Sequence, residues 1–179
     1  MADERPMNGT IFRLFLEVGA SCRSSPVHLR FAKVAVDTVF RQALVAEGFT
    51  ELLPALDAAV NCPSRAWLED DFSGYLSGLQ LPGFAEAVDC DDWSMFAKAM
   101  AGYANGLSGS SAGVAFAVAK ITIYPSSTFN GLPGPGTHLT NAVLLDTGEI
   151  VAYAPQTPTM ASFKEAVADG AMGLDWVLY

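Results

Sequence analysis

The spacing of hydrophobic residues changes its period halfway along this chain, and that change constrains the fold more than any other feature. Up to about residue 105 the apolar residues recur mostly at helical intervals; from Val114 onward, short β-branched and aromatic runs alternate with glycine- and proline-rich turns. In the first half, Leu29, Ala32, Val36, Val39, Phe40, Ala43 and Leu44 predict a helix from Pro26 to Glu47, with Gly48 as its stop. Shorter helices are predicted over Thr50–Val60 and Arg65–Leu79, while Ile11–Val18 suits either a strand or a helical turn. Asp89-Cys90-Asp91-Asp92 followed by Trp93, Phe96, Ala97, Met100 and Ala101 predicts an amphipathic helix to about Asn105, capped by Asp89.

The second half reads as strands. Val114–Tyr124, Leu139–Leu145 and Glu149–Tyr153 are predicted to be extended, the last two joined by a hairpin at Asp146-Thr147-Gly148. A short helix over Thr159–Asp169 and a closing strand over Leu174–Tyr179 complete the pattern. Helices followed by antiparallel strands make the class α+β. The 179 residues show no repeat and no low-complexity linker, so one domain spanning 1–179 is expected, with 1–62 as a helical N-terminal extension and 63–179 as the core.

Composition narrows the partners. Apolar residues make up 51% and charged residues 16%, against roughly 25% charged in an average globular chain. That surplus of apolar surface suggests a subunit interface, hence a possible homo-oligomer. The net charge of −9 and the scattered Lys and Arg exclude a phosphate-backbone partner, so no nucleic acid is expected. No run reaches the roughly 18 apolar residues of a membrane span. Asp3 and Glu4 stand where an export signal is basic, so no membrane association and a cytoplasmic location are expected, and Asn8-Gly9-Thr10 carries little weight as a glycosylation sequon. Cys22, Cys62 and Cys90 are then free thiols.

Three cysteines and two histidines allow the nucleophilic options to be enumerated. A thiolate is favoured at a helix N-terminus and beside an imidazolium. Cys90 opens the most amphipathic helix, and His138 sits where a glycine-rich loop enters a strand, an arrangement that suits a Cys/His site. His28 is the weaker base. Cys62, in Asn-Cys-Pro-Ser-Arg-Ala-Trp, is the weaker nucleophile, and a small buried residue at a helix start is the alternative for Cys90 itself. Asp89, Asp91 and Asp92 disfavour a thiolate between them, and a bound cation would offset that. Crowded carboxylates are hard oxygen ligands of the kind calcium takes, with Glu69, Asp70 and Asp71 as a second acidic cluster. The same three aspartates equally suit a solvated, dipole-matched cap. The loop Asn130–Gly136 lacks the ending of a phosphate loop and leads into a strand, which makes it a cleft-lining or lid loop.

The stretch DCDDWSMFAKAMAGY (89–103) followed by GTHLTNAVLLDTGEIVAYAPQT (136–157) resembles the paired motifs of the agglutinin C-terminal domain family, over roughly residues 65 to 179. The resemblance implies a papain-like fold, with a Cys-bearing helix packed on an antiparallel sheet, and a calcium-dependent cysteine protease (a thiol hydrolase) acting on peptide or protein. Carried over by position, Cys90 is the nucleophile, His138 the general base, and Asn141 lies on the histidine's strand. Where the family has Glu before Pro-Gln, this chain has Ala154, so orientation of His138 passes to Gln156, Asn141 or Asp146, in that order. The missing Glu keeps a second class open: a non-enzymatic structural or assembly protein, phage-associated, on the same scaffold.

Overall fold

The computed structural model describes residues 32–35, 39–53, 58–78, 89–107, 109, 111–125 and 127–178. Cys22, His28 and the 11–18 segment lie outside them. In chain order the elements are β1 (Ala32–Ala35), α1 (Arg41–Glu47), β2 (Glu51–Leu53) and β3 (Ala59–Cys62). A π-helical turn (Trp67–Phe72) then runs into α2 (Ser73–Gly78), followed by the long α3 (Cys90–Leu107). After it come β4 (Gly113–Val114), β5 (Phe116–Ile123), β6 (Thr128–Phe129), β7 (Leu132–Pro133), β8 (Gly136–Leu144) and β9 (Ile150–Ala154). The chain closes with β10 (Thr159–Ala161), α4 (Phe163–Ala168) and β11 (Met172–Leu178). The α+β class holds.

Six strands form the central sheet in the order β10-β9-β8-β5-β11-β2. Its pairings are antiparallel except for β11–β2, which is parallel, so the sheet is mixed rather than purely antiparallel. Both faces are covered. On one, Ala117, Ala119, Ile121, Ala142, Leu144, Ala152 and Ala154 meet Phe40, Leu44, Phe49, Phe129 and Phe163. A floor of methyl groups leaves room for large rings, and Phe163 stands edge-on to Phe49 at 5.1 Å and stacks on Phe129 at 6.0 Å. On the other face, Phe116, Val143, Val151 and Tyr153 carry α3 through Ala97, Met100, Ala101 and Ala104, with Trp67 and Phe72 beside it. This explains why β9 is buried at every position.

The N-terminal helix expectations need correction. Between 26 and 47 only Arg41–Glu47 is α-helical among the described residues, and Ala32–Ala35 is a strand paired with β3. Gly48 does stop α1, at φ 112°. Over 50–60 the helix is replaced by β2 and β3, because β2 finds β11 from the far end of the chain and β3 joins β1 and β4. Pairing partners distant in sequence override a weak local period there. The Arg65–Leu79 helix begins with a π-helical turn, whose exit is held by Ser73 Oγ donating to Leu68 O at 2.6 Å. Near the C-terminus, Thr159–Ala161 is a strand, and α4 starts only after Ser162, whose hydroxyl accepts from Glu165 N.

Candidate functional site

Cys90 is the first residue of α3, and Asp89 caps that helix: its Oδ1 accepts from Asp91 N at 3.2 Å and its carbonyl from Trp93 N at 3.1 Å. One turn on, buried Ser94 donates from Oγ to the Cys90 carbonyl at 2.7 Å. The thiol is partly exposed, and its Sγ accepts a hydrogen bond from Leu139 N at 3.3 Å. The first turn of the helix is thereby joined to the residue that follows His138 on β8.

That amide is available for a reason of topology. β9 pairs with β8 only over Asn141–Leu144 and turns away after Ala154, through residues 155–158. Had the register continued, Pro155 would oppose Leu139 and Gln156 would oppose His138. Instead the β8 edge opens, and the Leu139 amide meets a sulfur where a strand carbonyl would otherwise stand. Along β8, Leu139, Asn141 and Val143 share the face that carries α3, while His138, Thr140, Ala142 and Leu144 share the other. Thiol and imidazole therefore belong to neighbouring positions of β8 on opposite faces of the sheet. The ring lies back along its strand: a Cβ on Gly136 would stand 3.4 Å from His138 Nε2.

The remaining candidates are placed as follows. Gln156 lies in the turn that ends β9, and its Oε1 and Nε2 are buried with no hydrogen-bond partner among the described residues. Asn141 is fully buried and donates from Nδ2 to Ser94 O at 3.0 Å and to Ala117 O at 3.2 Å, on the face away from His138. Asp146 lies eight residues beyond His138, past the end of β8, roughly 26 Å away at strand rise, so it cannot orient that ring. It faces Cys62 instead. Burial first, and the Asp146 charge second, push the Cys62 thiol up to about 12. Cys62 sits in β3 with 1% of its surface exposed, which removes it as a nucleophile at neutral pH. Ala154 is fully buried in the alanine–phenylalanine cluster, on His138's face and one pair diagonal to it.

The Asn130–Gly136 loop is tethered rather than free. Asn130 (φ 50°) and Gly131 (φ 75°) turn the β6–β7 hairpin. Asn130 Nδ2 donates to Ala152 O at 3.0 Å, and Asn130 O accepts from Thr157 Oγ1 at 2.7 Å and Thr159 Oγ1 at 3.1 Å. The loop thus braces the turn that carries Gln156. The Leu139 amide and Gly136 are the parts of the site that residue types alone do not reveal, since a backbone N–H has no signature and a glycine beside Pro135 reads as a turn.

Among the described residues, the group of side chains close enough to share a metal ion is Asp89, Cys90 and Asp91, with one ligand atom from each within 4.8 Å of the others. Asp92 and the Glu69–Asp71 cluster are not in it. The two exposed carboxylates fit a hard cation whose other ligands are water, because calcium takes about 6–8 oxygens and the thiol is too soft to be one of its donors.

A helix bearing cysteine at its start, packed on a sheet whose open edge bears histidine, has the fold of the agglutinin-type structures it matches. No family model matches the sequence, and no curated protein does. Among solved structures, PSL1a in complex with the inhibitor E64 superposes with a TM-score of 0.57 at 14% identity, covering 82% of this chain and 50% of that one. The lectin of Polyporus squamosus bound to the influenza-binding epitope Neu5Acα2-6Galβ1-4GlcNAc does so with a TM-score of 0.55 at 13% identity, covering 82% and 49%. The chain spans about half the length of each of these structures. No described helix is long and apolar enough to cross a membrane.

Proposed function

We propose that the chain is a cysteine hydrolase acting on peptide or protein substrates, with Cys90 as nucleophile and His138 as general base. One observation carries this reading: Sγ at the start of α3 is seated on the amide next to His138, at an edge that β9 leaves open. His138 takes the thiol proton as Sγ attacks the carbonyl carbon, then gives it to the leaving amine. Water, deprotonated by the same imidazole, attacks the acyl-thioester carbonyl to release the acid and restore the thiol. The Cys90 amide at the helix start is the oxyanion donor nearest the nucleophile. Gln156 brings an unspent amide to the same edge and orients the imidazolium in place of the family's Glu. Asp89 and Asp91 would hold calcium, which supplies positive charge beside the thiolate and offsets the carboxylates.

The test is hydrolysis of denatured casein by the purified chain, with calcium and with chelator. The reading expects turnover that Cys90→Ala abolishes and that His138→Ala lowers by about 10²–10⁴-fold. Turnover indifferent to Cys90 overturns it. Ala154 favours a second reading, a non-catalytic binding or assembly scaffold, because a buried methyl fills the position from which a carboxylate would reach His138. That reading expects no turnover and a Cys90 thiol that reacts at the same rate with and without His138.

A further inference from the structure

The buried Asn141 amide is the most heavily engaged side chain near the site, yet it faces away from the histidine whose strand it shares. Both protons of its Nδ2 are spent on carbonyl oxygens, one on α3 (Ser94 O, 3.0 Å) and one on β5 (Ala117 O, 3.2 Å). Two acceptors on one side fix which way the amide points, since the reverse orientation would set Oδ1 against both carbonyls. Oδ1 is buried with no partner among the described residues, so the two donated bonds are what hold the side chain. The residue contacted on α3 is also the one whose hydroxyl holds the Cys90 carbonyl at 2.7 Å. A continuous path therefore runs from β5 through Asn141 and Ser94 to the nucleophile's own backbone.

We propose that Asn141 is a positioning residue that sets the depth at which the first turn of α3 meets the sheet, so that Cys90 Sγ falls on the Leu139 amide at the open edge of β8. Its consequence for catalysis rests on the cysteine hydrolase reading above, but its geometry does not. It departs from the expectation that Asn141 orients His138. The far end of α3 is held separately: Asn105 Oδ1 accepts from Asn61 at 2.8 Å, and its Nδ2 donates to Ala112 O and Gly113 O. Loss of Asn141 therefore lets the nucleophile's end shift while the helix stays docked.

The experiment follows the Leu139 amide in ¹⁵N–¹H spectra of the whole chain. Cys90→Ala marks where that signal lies without the sulfur acceptor. Asn141→Leu, close in volume and free of the orphaned oxygen, should move the Leu139 signal toward that position. The same substitution in a Cys90→Ala background should leave the signal nearly still, because the effect passes through Sγ. Asn141→Thr, which suits a strand and keeps one donor, should give a smaller shift and stands in if the leucine variant does not fold; Cys62 protected from alkylation reports folding. Additive shifts in the double variant, or a folded Asn141 variant with the native Leu139 signal, overturn the proposal. Alkylation of Cys90 by iodoacetamide is the second readout, expected to fall roughly 10- to 100-fold with Asn141→Leu. If His138→Ala leaves alkylation of the native chain unchanged while the Leu139 shifts behave as expected, the hydrolase reading fails and the positioning role stands.

Discussion

At the scale of single residues, the proposed site rests on two groups with opposite demands. Cys90 needs an edge that is not filled, and His138 needs a neighbour that takes no room. Gly136 supplies the second, since a Cβ there would stand 3.4 Å from Nε2 and a branched side chain would crowd the ring. Gly136→Val should suit the strand backbone yet turn the imidazole away. We expect thermal stability within about 1 kcal/mol of the parent, with the His138-dependent part of Cys90 alkylation lost. Unchanged alkylation would mean that the ring does not work from this pose. Cys62 titrates differently. Its thiol is held at about 12 against an ordinary 9.0, so between those values the unfolded chain gives up a proton that the folded chain keeps. The contribution of Cys62 is fully present below pH 9 and is lost as pH rises toward 12. Tyr153, raised by burial and opposed only in part by its bond to Ser73, acts in the same direction. Guanidinium midpoints should therefore fall above pH 9, and Cys62→Ala should fall less steeply.

At the scale of elements, legibility followed the range of the interactions. α3 was readable because its cap, its acidic first turn and its apolar stripe are all local, and it begins at Cys90 as the Asp-Cys-Asp-Asp run indicates. The hairpin at 146–148 was readable for the same reason, with Gly148 at φ 87°. β2 and β3 were not: Glu51–Leu53 becomes extended by pairing with Trp176–Leu178, a partner more than a hundred residues away. Of the candidate residues, residue type and local pattern single out Cys90 and His138, which stand on adjoining elements. Asp146 is close to β8 in sequence, yet the strand from His138 to Leu144 separates it from the ring. The alanine floor under the phenylalanines has its own test. Phe163→Ala should cost about 3–5 kcal/mol, read from denaturant midpoints, because no methyl on the sheet can expand into the ring's place. A cost below 1 kcal/mol would show that the cluster collapses to fill the gap.

At the scale of the whole molecule, a sheet covered on both faces buries much of the apolar content of the described residues, among which the large hydrophobics left exposed are Val39, Val45, Met95, Tyr124 and Val167. The same two-faced sheet carries the thiol on the helix of one face and the imidazole on a strand position of the other, at neighbouring residues of β8 beyond the last β9 pair. Whether the imidazole acts on the thiol shows in the rate at which Cys90 is alkylated. The rate of iodoacetamide labelling at Cys90 is followed by peptide mapping at neutral pH in the native chain and in His138→Ala, with Cys62 as the buried control. Cys90 should label at least roughly tenfold faster with His138 than without it, while Cys62 stays unlabelled in both. Equal rates at Cys90 in the two proteins, with Cys62 still protected, would contradict it.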